Sequence, residues 1–140
     1  MRRGETPLSE ITIRKYELPN QQEKREVLRK FCMSIGLLQP GDSRETLVDV
    51  LAVLLQAHGP VALEEIEKAL PKGMAASGIR RHLRRMIELR LVERSKATYR
   101  ISEGEGLEYA FNYLTRRLVE EMLARVAEYA KAADNAYSGL

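Results

Sequence analysis

A long apolar stripe runs along the last third of this chain and limits how the chain can fold. Its members recur at steps of three or four residues: Leu107, Phe111, Leu114, Leu118, Met122, Val126, Tyr129 and Ala133. This spacing keeps them on one face and predicts a single helix over residues 107–136. Such a helix is about 40 Å long, more than a core of about 60 residues can cover. We expect the surplus to pack on the N-terminal helix, on a second copy of the chain, or on both, and we favour dimerisation. The alternative is a bend after Arg125 that folds the helix back.

Four shorter helices are predicted upstream, separated by Pro and Gly breakers. Their apolar periodicity places them at residues 20–38, 43–57, 63–70 and 75–89. Capping-box spacing marks the first two starts, through Asn20 with Glu23 and through Asp42 with Glu45. The second helix is apolar on most sides, so we expect it to be central.

Strands are predicted in two places. Residues 91–94 and 98–101 flank the tight turn 95–97 and indicate a hairpin, and residues 11–13 and 16–18 suggest a short strand in an N-terminal arm. The fold class is therefore mostly α, with a small β component (α+β).

Composition excludes several classes of protein. One cysteine and two histidines provide neither an internal disulfide nor a metal-ligand set, and Cys32 lies inside the apolar stripe of the first helix as a core residue. There is no P-loop, no Gly-rich dinucleotide turn and no nucleophile–His pairing, so we expect no catalytic residues and no cofactor. No apolar run approaches the roughly 18 residues of a membrane span, and residues 1–5 precede no signal-like apolar segment. We expect a cytoplasmic protein.

Charge is distributed unevenly along the chain. The formal net charge is +3, yet residues 80–100 alone carry eight basic and two acidic side chains. A concentrated basic segment indicates an anionic partner, usually nucleic acid. Arginine outnumbers lysine 16 to 7, which suits phosphates and guanine edges, although a GC-rich or thermophilic genome produces the same bias.

The helix predicted at 75–89 has a basic side with little acidic compensation. On a helical wheel its core face comprises Ile79, Leu83, Met86 and Ile87. Opposite this face lie Ser77, Arg81, Arg84, Arg85 and Glu88, with Arg80 and His82 on the flanks. Like charges at this spacing cost a few tenths of a kcal/mol per pair, so a merely solvated face would normally include more glutamates.

The order helix, short helix, turn, helix, hairpin resembles the winged helix-turn-helix domain of small prokaryotic transcriptional regulators. The residues that carry the resemblance are 59–66, 77–86, 88–94 and 99–101. The flanking helices resemble the dimerising additions of PadR-like and related regulators. By this resemblance the chain divides into an N-terminal arm and helix (1–42), a winged-helix domain (43–103) and a long C-terminal helix for dimerisation (104–140). Two positions depart from the pattern: Arg90 replaces the glycine that commonly closes the recognition helix, here 75–89, and the wing tip lacks glycine.

The resemblance implies a DNA interface on the helix predicted at 75–89 and on the wing. This helix is the second of the helix-turn-helix motif, which enters the major groove, and a wing contacts the backbone. The candidate DNA-binding residues are Ser77, Arg80, Arg81, Arg84, Arg85, Arg94, Lys96 and Arg100. Ser77, Arg81 and Arg84 are the candidates for bases, whereas His82 is expected to pack or to contact phosphate.

The predicted function is a homodimeric, DNA-binding transcriptional regulator that reads half-sites about one helical turn apart on double-stranded DNA. The alternatives are a winged-helix protein-interaction adaptor and a low-specificity, nucleoid-type DNA-binding protein. A small-molecule effector is unknown. A pocket for one could be lined by Tyr109, Tyr113 and Tyr129, which are otherwise ordinary interface residues.

Overall fold

The chain forms a mostly helical α+β fold with a small antiparallel sheet, in the class that the sequence predicts. The structure, a computed structural model, describes residues 4–20, 23–42, 45–71 and 74–139. The helices are α1 (Lys24–Ser34), α2 (Thr46–Ala57), α3 (Leu63–Ala69), α4 (Ala76–Glu88), α5 (Leu107–Ala110) and α6 (Arg116–Ser138). The strands are β1 (Val61–Ala62), β2 (Val92–Ser95) and β3 (Thr98–Ile101).

Helix α2 is at the centre of the molecule, as predicted. It contacts α1, α3, α4 and β3. Its buried residues are Leu47, Val48, Val50, Leu51 and Leu54. A helix that is apolar on most sides removes the most surface from water when other elements surround it, which explains its position.

The sheet has the strand order β1-β3-β2, and both pairings are antiparallel. The predicted hairpin is confirmed, with Val92 opposite Ile101 and Ser95 opposite Thr98. Strand β1 was not predicted, because two residues are too few to show an alternating pattern. It pairs Val61 with Tyr99 and thereby ties the start of α3 to the hairpin.

The strand predicted in the N-terminal arm is absent: none of residues 9–20 forms a strand, although the arm bonds to the body. The backbone N–H of Arg14 donates to the carbonyl oxygen of Ser34 at 2.7 Å, and its guanidinium donates to that of Met33 at 2.9 Å. These carbonyls lie at the end of α1, where a helix leaves its last oxygens unpaired. The arm therefore caps a helix instead of joining a sheet.

Both predicted capping boxes are wrong. Helix α1 begins at Lys24 after Glu23, and α2 begins at Thr46 after Glu45, each without a side-chain cap. The carboxylate of Asp42 accepts a hydrogen bond from the backbone N–H of Gln39 at 3.0 Å, so it closes its own turn. Residues 21–22 and 43–44, on which the two predicted starts also depend, lie outside the described residues.

The C-terminal end of α1 differs most from the sequence prediction. Helix α1 stops at Ser34 instead of near residue 38, because Gly36 takes a left-handed φ of 75°. Helix α2 ends at Ala57 as predicted, and His58 follows it with a φ of 55°. Helices α3 and α4 agree with prediction to within one residue at each end.

The long C-terminal helix is continuous from 107 to 138 and does not fold back after Arg125. It contains one π-helical turn, Phe111–Thr115, between α5 and α6. Its stripe is partly or fully buried as far as Met122, and Val126 and Tyr129 are then exposed. Among the described helices, none has both the length and the apolar character needed to cross a membrane.

Candidate functional site

The exposed side of α4 is the strongest candidate site, and its orientation agrees with the helical wheel. Ile79, Leu83 and Met86 are buried at 0%, 1% and 0% exposure and fix the helix against the core. The opposite side faces solvent and includes five of the predicted residues, namely Ser77, Arg80, Arg81, Arg84 and Arg85. The apolar face alone determines this orientation, which is why periodicity could predict it.

Three of these arginines have no charge partner among the residues that the structure describes. No ion pair or hydrogen bond joins the side chain of Arg80, Arg81 or Arg84 to any of them. Elsewhere in the described residues five arginines form ion pairs, among them Arg29, whose Nε lies 2.5 Å from a carboxylate oxygen of Glu45. The unpaired guanidinium groups on α4 therefore present their N–H donors and their charge to solvent. We call Arg80, Arg81 and Arg84 the arginine face.

The pKa of His82 reflects its burial and the positive charges around this helix. It is half-buried on the flank of α4, and its pKa is lowered from the ordinary value of 6.5. Burial is the main cause, and the charges of Arg81 and Arg85 add to it. Burial and the two neighbouring cations thus both disfavour the protonated form of the imidazole.

Arg85 lies on α4 but is engaged elsewhere. Its guanidinium donates to the carbonyl oxygen of Gly36 at 3.0 Å and to that of Leu37 at 3.4 Å. Arg85 and Arg14 together donate hydrogen bonds to backbone carbonyl oxygens of the loop that follows α1. Sequence reasoning missed this structural role, because the contact joins positions almost fifty residues apart and no local pattern marks it.

The hairpin brings together the three other predicted cations, although not as three free charges. Arg94 Nε donates to the carbonyl oxygen of Lys96 at 2.7 Å, and its guanidinium lies 5.9 Å from the ring centre of Tyr99. Arg100 Nε lies 2.8 Å from a carboxylate oxygen of Glu93. Lys96 is exposed at the tip with a φ of 56°. At the tip, Lys96 is thus exposed to solvent, whereas the side chain of Arg94 is held along the turn by its hydrogen bond.

Arg90 occupies the position where a glycine commonly follows such a helix, and it adopts the left-handed conformation itself, with a φ of 65°. Two contacts hold it there. Its guanidinium lies 3.0 Å from Glu121 on α6, and its carbonyl oxygen accepts a hydrogen bond from the hydroxyl of Ser102 at 2.9 Å. Tertiary contacts therefore offset the cost of a left-handed non-glycine residue.

Next to it, α4 is tied to the long helix through a buried hydrogen bond. The hydroxyl of Thr115, in the π turn, donates to the carbonyl oxygen of Leu89 at 2.8 Å. Thr115 is 0% exposed, and Leu89 is the residue at which α4 ends. The end of α4 and the start of α6 are thus one connected unit.

The protein also has a large apolar groove. It has a volume of about 790 Å³ between α1, α2 and the beginning of the long helix. Its apolar walls include Val27, Leu28, Phe31, Val48, Ala52, Leu55, Leu107 and Phe111. The three tyrosines predicted to line a pocket do not line this groove. The ring centres of Tyr109 and Tyr113 lie 4.7 Å apart on the surface, and Tyr129 is exposed on α6.

The described part of the chain contains few other groups suited to metal binding or nucleophilic chemistry. No cluster of three or more His, Cys, Asp or Glu side chains there could hold a metal ion. Cys32 is a core residue as predicted, and burial raises the pKa of its thiol to about 12, which suppresses the reactive thiolate. Comparisons of this chain with protein families, with characterised proteins and with solved structures gave no match.

Proposed function

We propose that this protein is a dimeric transcriptional regulator that binds double-stranded DNA through a winged helix-turn-helix domain at residues 46–101. The order of its elements supports this: a central helix, two further helices and a hairpin, with β1 adding a third strand. Helices α3 and α4 pack against each other and supply the helix-turn-helix unit. Strands β2 and β3 form a short wing.

The observation that carries the proposal is the arginine face on α4. An α-helix fits the major groove of B-DNA, where its N-terminal residues reach base edges. Ser77, Arg81 and Arg84 lie on the exposed side of α4 and are our candidates for bases, with Arg80 for bases or phosphates. Arginine can bind guanine through two hydrogen bonds at once, which requires an unpaired guanidinium.

The remaining predicted residues serve the DNA backbone in this proposal. Lys96 and Arg94 at the tip of the wing would contact phosphates. Arg85 and Arg100 already hold protein partners, Gly36 and Glu93. Their contribution is therefore to position α4 and the wing and to add positive potential, more than to bind directly.

Dimerisation through α6 is the second part of the proposal. Beyond Leu118, the helix exposes Leu123, Val126 and Tyr129 at 62%, 64% and 73%. A row of large apolar side chains on an unsupported helix favours association with a second copy. The apolar groove between α1 and α2 offers each copy a further surface of the same kind. A two-fold dimer would present two α4 helices to two half-sites.

DNA binding can be tested by fluorescence anisotropy on a random-sequence duplex, titrated across salt. We expect affinity to fall steeply with salt, by roughly 0.9 in the log–log slope for each phosphate contact. Sites enriched from genomic fragments should then bind more tightly than the random duplex. Equal affinity for all duplexes would indicate the nucleoid-type protein instead.

The arginine face is tested by the double variant Arg81→Ala/Arg84→Ala on an enriched site. Loss of two good base contacts, at about 1–3 kcal/mol each, should weaken binding by about 30-fold or more. The matched control is Arg117→Ala/Lys131→Ala, which removes two exposed cations from α6. Wild-type affinity in the first variant would contradict the proposed site.

Dimerisation is tested by sedimentation equilibrium with Val126→Asp, which places a charge on the exposed apolar stripe. Ala124→Asp introduces the same residue on the polar face of the same helix and serves as the control. We expect Val126→Asp to be monomeric and the control to remain a dimer. A wild-type protein that is monomeric at micromolar concentration would refute this part of the proposal.

The protein-interaction adaptor is the second candidate, and the apolar groove and exposed stripe are the observations that favour it. A pull-down from nuclease-treated native extract distinguishes the two functions. Stoichiometric retention of one protein partner, together with no DNA binding near 50 mM salt, would select the adaptor.

A further inference from the structure

The last part of the long helix is uncovered. Every residue of the segment 123–138 is exposed, over about 24 Å of helix. A helix of this length has little stability of its own in water, because most helices depend on packing of an apolar face. The segment has such a face in Leu123, Val126 and Tyr129, which we call the exposed stripe. No described residue of the same chain buries these three side chains.

The apolar groove has the form of a seat for a helix. Its wall on α2 consists of Val48, Ala52 and Leu55, at steps of four and three residues, and its wall on α1 includes Val27 and Phe31, one turn apart. A groove between two helices with this spacing accepts the apolar face of a third helix. Ala52, a small residue in the middle of its wall, leaves room for such a helix to approach.

The charges of the two surfaces are complementary. Helix α1 contains four basic side chains and one acidic side chain, and Lys24 is exposed at the rim of the groove. The other three cations of α1 already pair with carboxylates of this chain, which leaves Lys24 for a partner. The α6 segment 119–138 contains four acidic and two basic side chains. Two such segments repel each other, whereas one of them is attracted to the rim of the groove.

We propose that the exposed stripe of one copy lies in the apolar groove of a second copy, whose own stripe lies in the groove of the first. This inference rests on the proposed dimer and names the two surfaces that form it. Because the contact is reciprocal, a two-fold axis relates its halves and the assembly closes at two chains. Phe111 belongs both to the groove and to the π turn that is bonded to the end of α4, so the partner's helix packs on the element that positions α4.

The first test is sedimentation equilibrium of Val27→Glu. Val27 lines the groove and is 38% exposed, so the fold should tolerate the change. In the dimer it places a carboxylate in both apolar contacts and should raise the dissociation constant by about 100-fold or more. Ala52→Glu on the other wall is a second groove variant, and thermal unfolding verifies the fold of each. Ala57→Glu, exposed on α2 outside the groove, is the matched control and should dimerise like the wild type.

A mixture of two variants tests whether the groove binds the stripe itself. Val27→Glu keeps an intact stripe and Val126→Asp keeps an intact groove, so a heterodimer of the two retains one wild-type contact. Both substitutions fall on the other contact, and we therefore expect the mixture to dimerise about tenfold more tightly than either variant alone. A mixture that associates no better than its components would overturn the inference.

The remaining outcomes separate this inference from the proposed function. If the wild type is dimeric and both groove variants dimerise equally well, the inference is wrong and dimerisation through α6 stands. If the wild type is monomeric, the inference and the proposed dimer are both wrong, while DNA binding is decided by anisotropy.

An apolar dye, anilinonaphthalene sulfonate, tests for a different occupant of the groove. We expect the wild-type dimer not to bind it there, because the partner's helix fills the groove. If the dimer binds the dye and Ala52→Glu abolishes binding without dissociating the dimer, the groove takes a small apolar molecule and the inference is wrong.

Discussion

Replacing Thr115 with valine should lower the free energy of unfolding by about 2 kcal/mol, although the two side chains have nearly the same shape. The hydroxyl of Thr115 is fully buried and donates to the carbonyl oxygen of Leu89 at 2.8 Å. Valine leaves no cavity, so packing changes little. It does leave a buried carbonyl oxygen without its donor, which costs about 1–3 kcal/mol.

The measurement is urea unfolding followed by circular dichroism, with thermal unfolding beside it. For a chain of this size, 2 kcal/mol corresponds to a fall in Tm of roughly 8 °C. Thr98→Val is the matched control, because the hydroxyl of Thr98 donates to the carbonyl oxygen of Ser95 at 2.9 Å on the exposed hairpin. Water can replace that bond, so we expect a loss below about 0.5 kcal/mol.

Two outcomes would refute the reasoning. If the free energy of unfolding of Thr115→Val is within about 0.5 kcal/mol of the wild-type value, the hydrogen bond to Leu89 does not hold α4 and the long helix together. If Thr98→Val is equally destabilising, the effect belongs to the substitution and not to burial.

Three further predictions concern single side chains. Lys96→Gly should stabilise the fold by up to about 1 kcal/mol in urea unfolding, since the φ of 56° at the hairpin tip favours glycine; no gain would show that the turn is unstrained. The thiol of Cys32, with its pKa raised by burial to about 12 from 9.0, should resist alkylation in the native state. Because the unfolded chain loses that proton first, the free energy of unfolding should decline from pH 9 towards pH 12 more steeply in the wild type than in Cys32→Ala. The pKa of His82, which burial and then the charge of Arg81 lower, should rise in Arg81→Ala when it is followed by NMR. Because the imidazole of His82 is protonated at a higher pH in the unfolded chain than in the folded one, the free energy of unfolding should decrease as the pH falls below 6.5.

Periodicity predicted the parts of this fold that depend on one buried face. The orientation of α4 follows from Ile79, Leu83 and Met86 alone, and the central position of α2 follows from its apolar residues on most sides. The arginine face could therefore be located from the sequence. The hairpin was equally accessible, because both of its strands lie within ten residues of each other.

Features that depend on contacts between distant positions were not predictable. Arg14 and Arg85 both donate to carbonyl oxygens of the segment after α1, and nothing near either residue in the sequence marks that segment as a partner. The capping box at Asp42 failed for a different, local reason: its carboxylate accepts a hydrogen bond from the backbone N–H of Gln39 instead. Short-range patterns state what a residue can do, whereas its neighbours in space decide which option is realised.

The π turn at Phe111–Thr115 has a consequence for how the molecule can change. A π turn holds one residue more than the α-helical turn it replaces. Because the extra residue is accommodated within that one turn, deleting one residue there would restore a regular α-helix and leave Val126 and Tyr129 on nearly the same side of the helix axis. The same deletion further along, in the regular α-helix of α6, would rotate everything after it by about 100° around the axis. The π turn is therefore a position at which the long helix can lose a residue without turning its exposed apolar side chains away from the direction in which they now point.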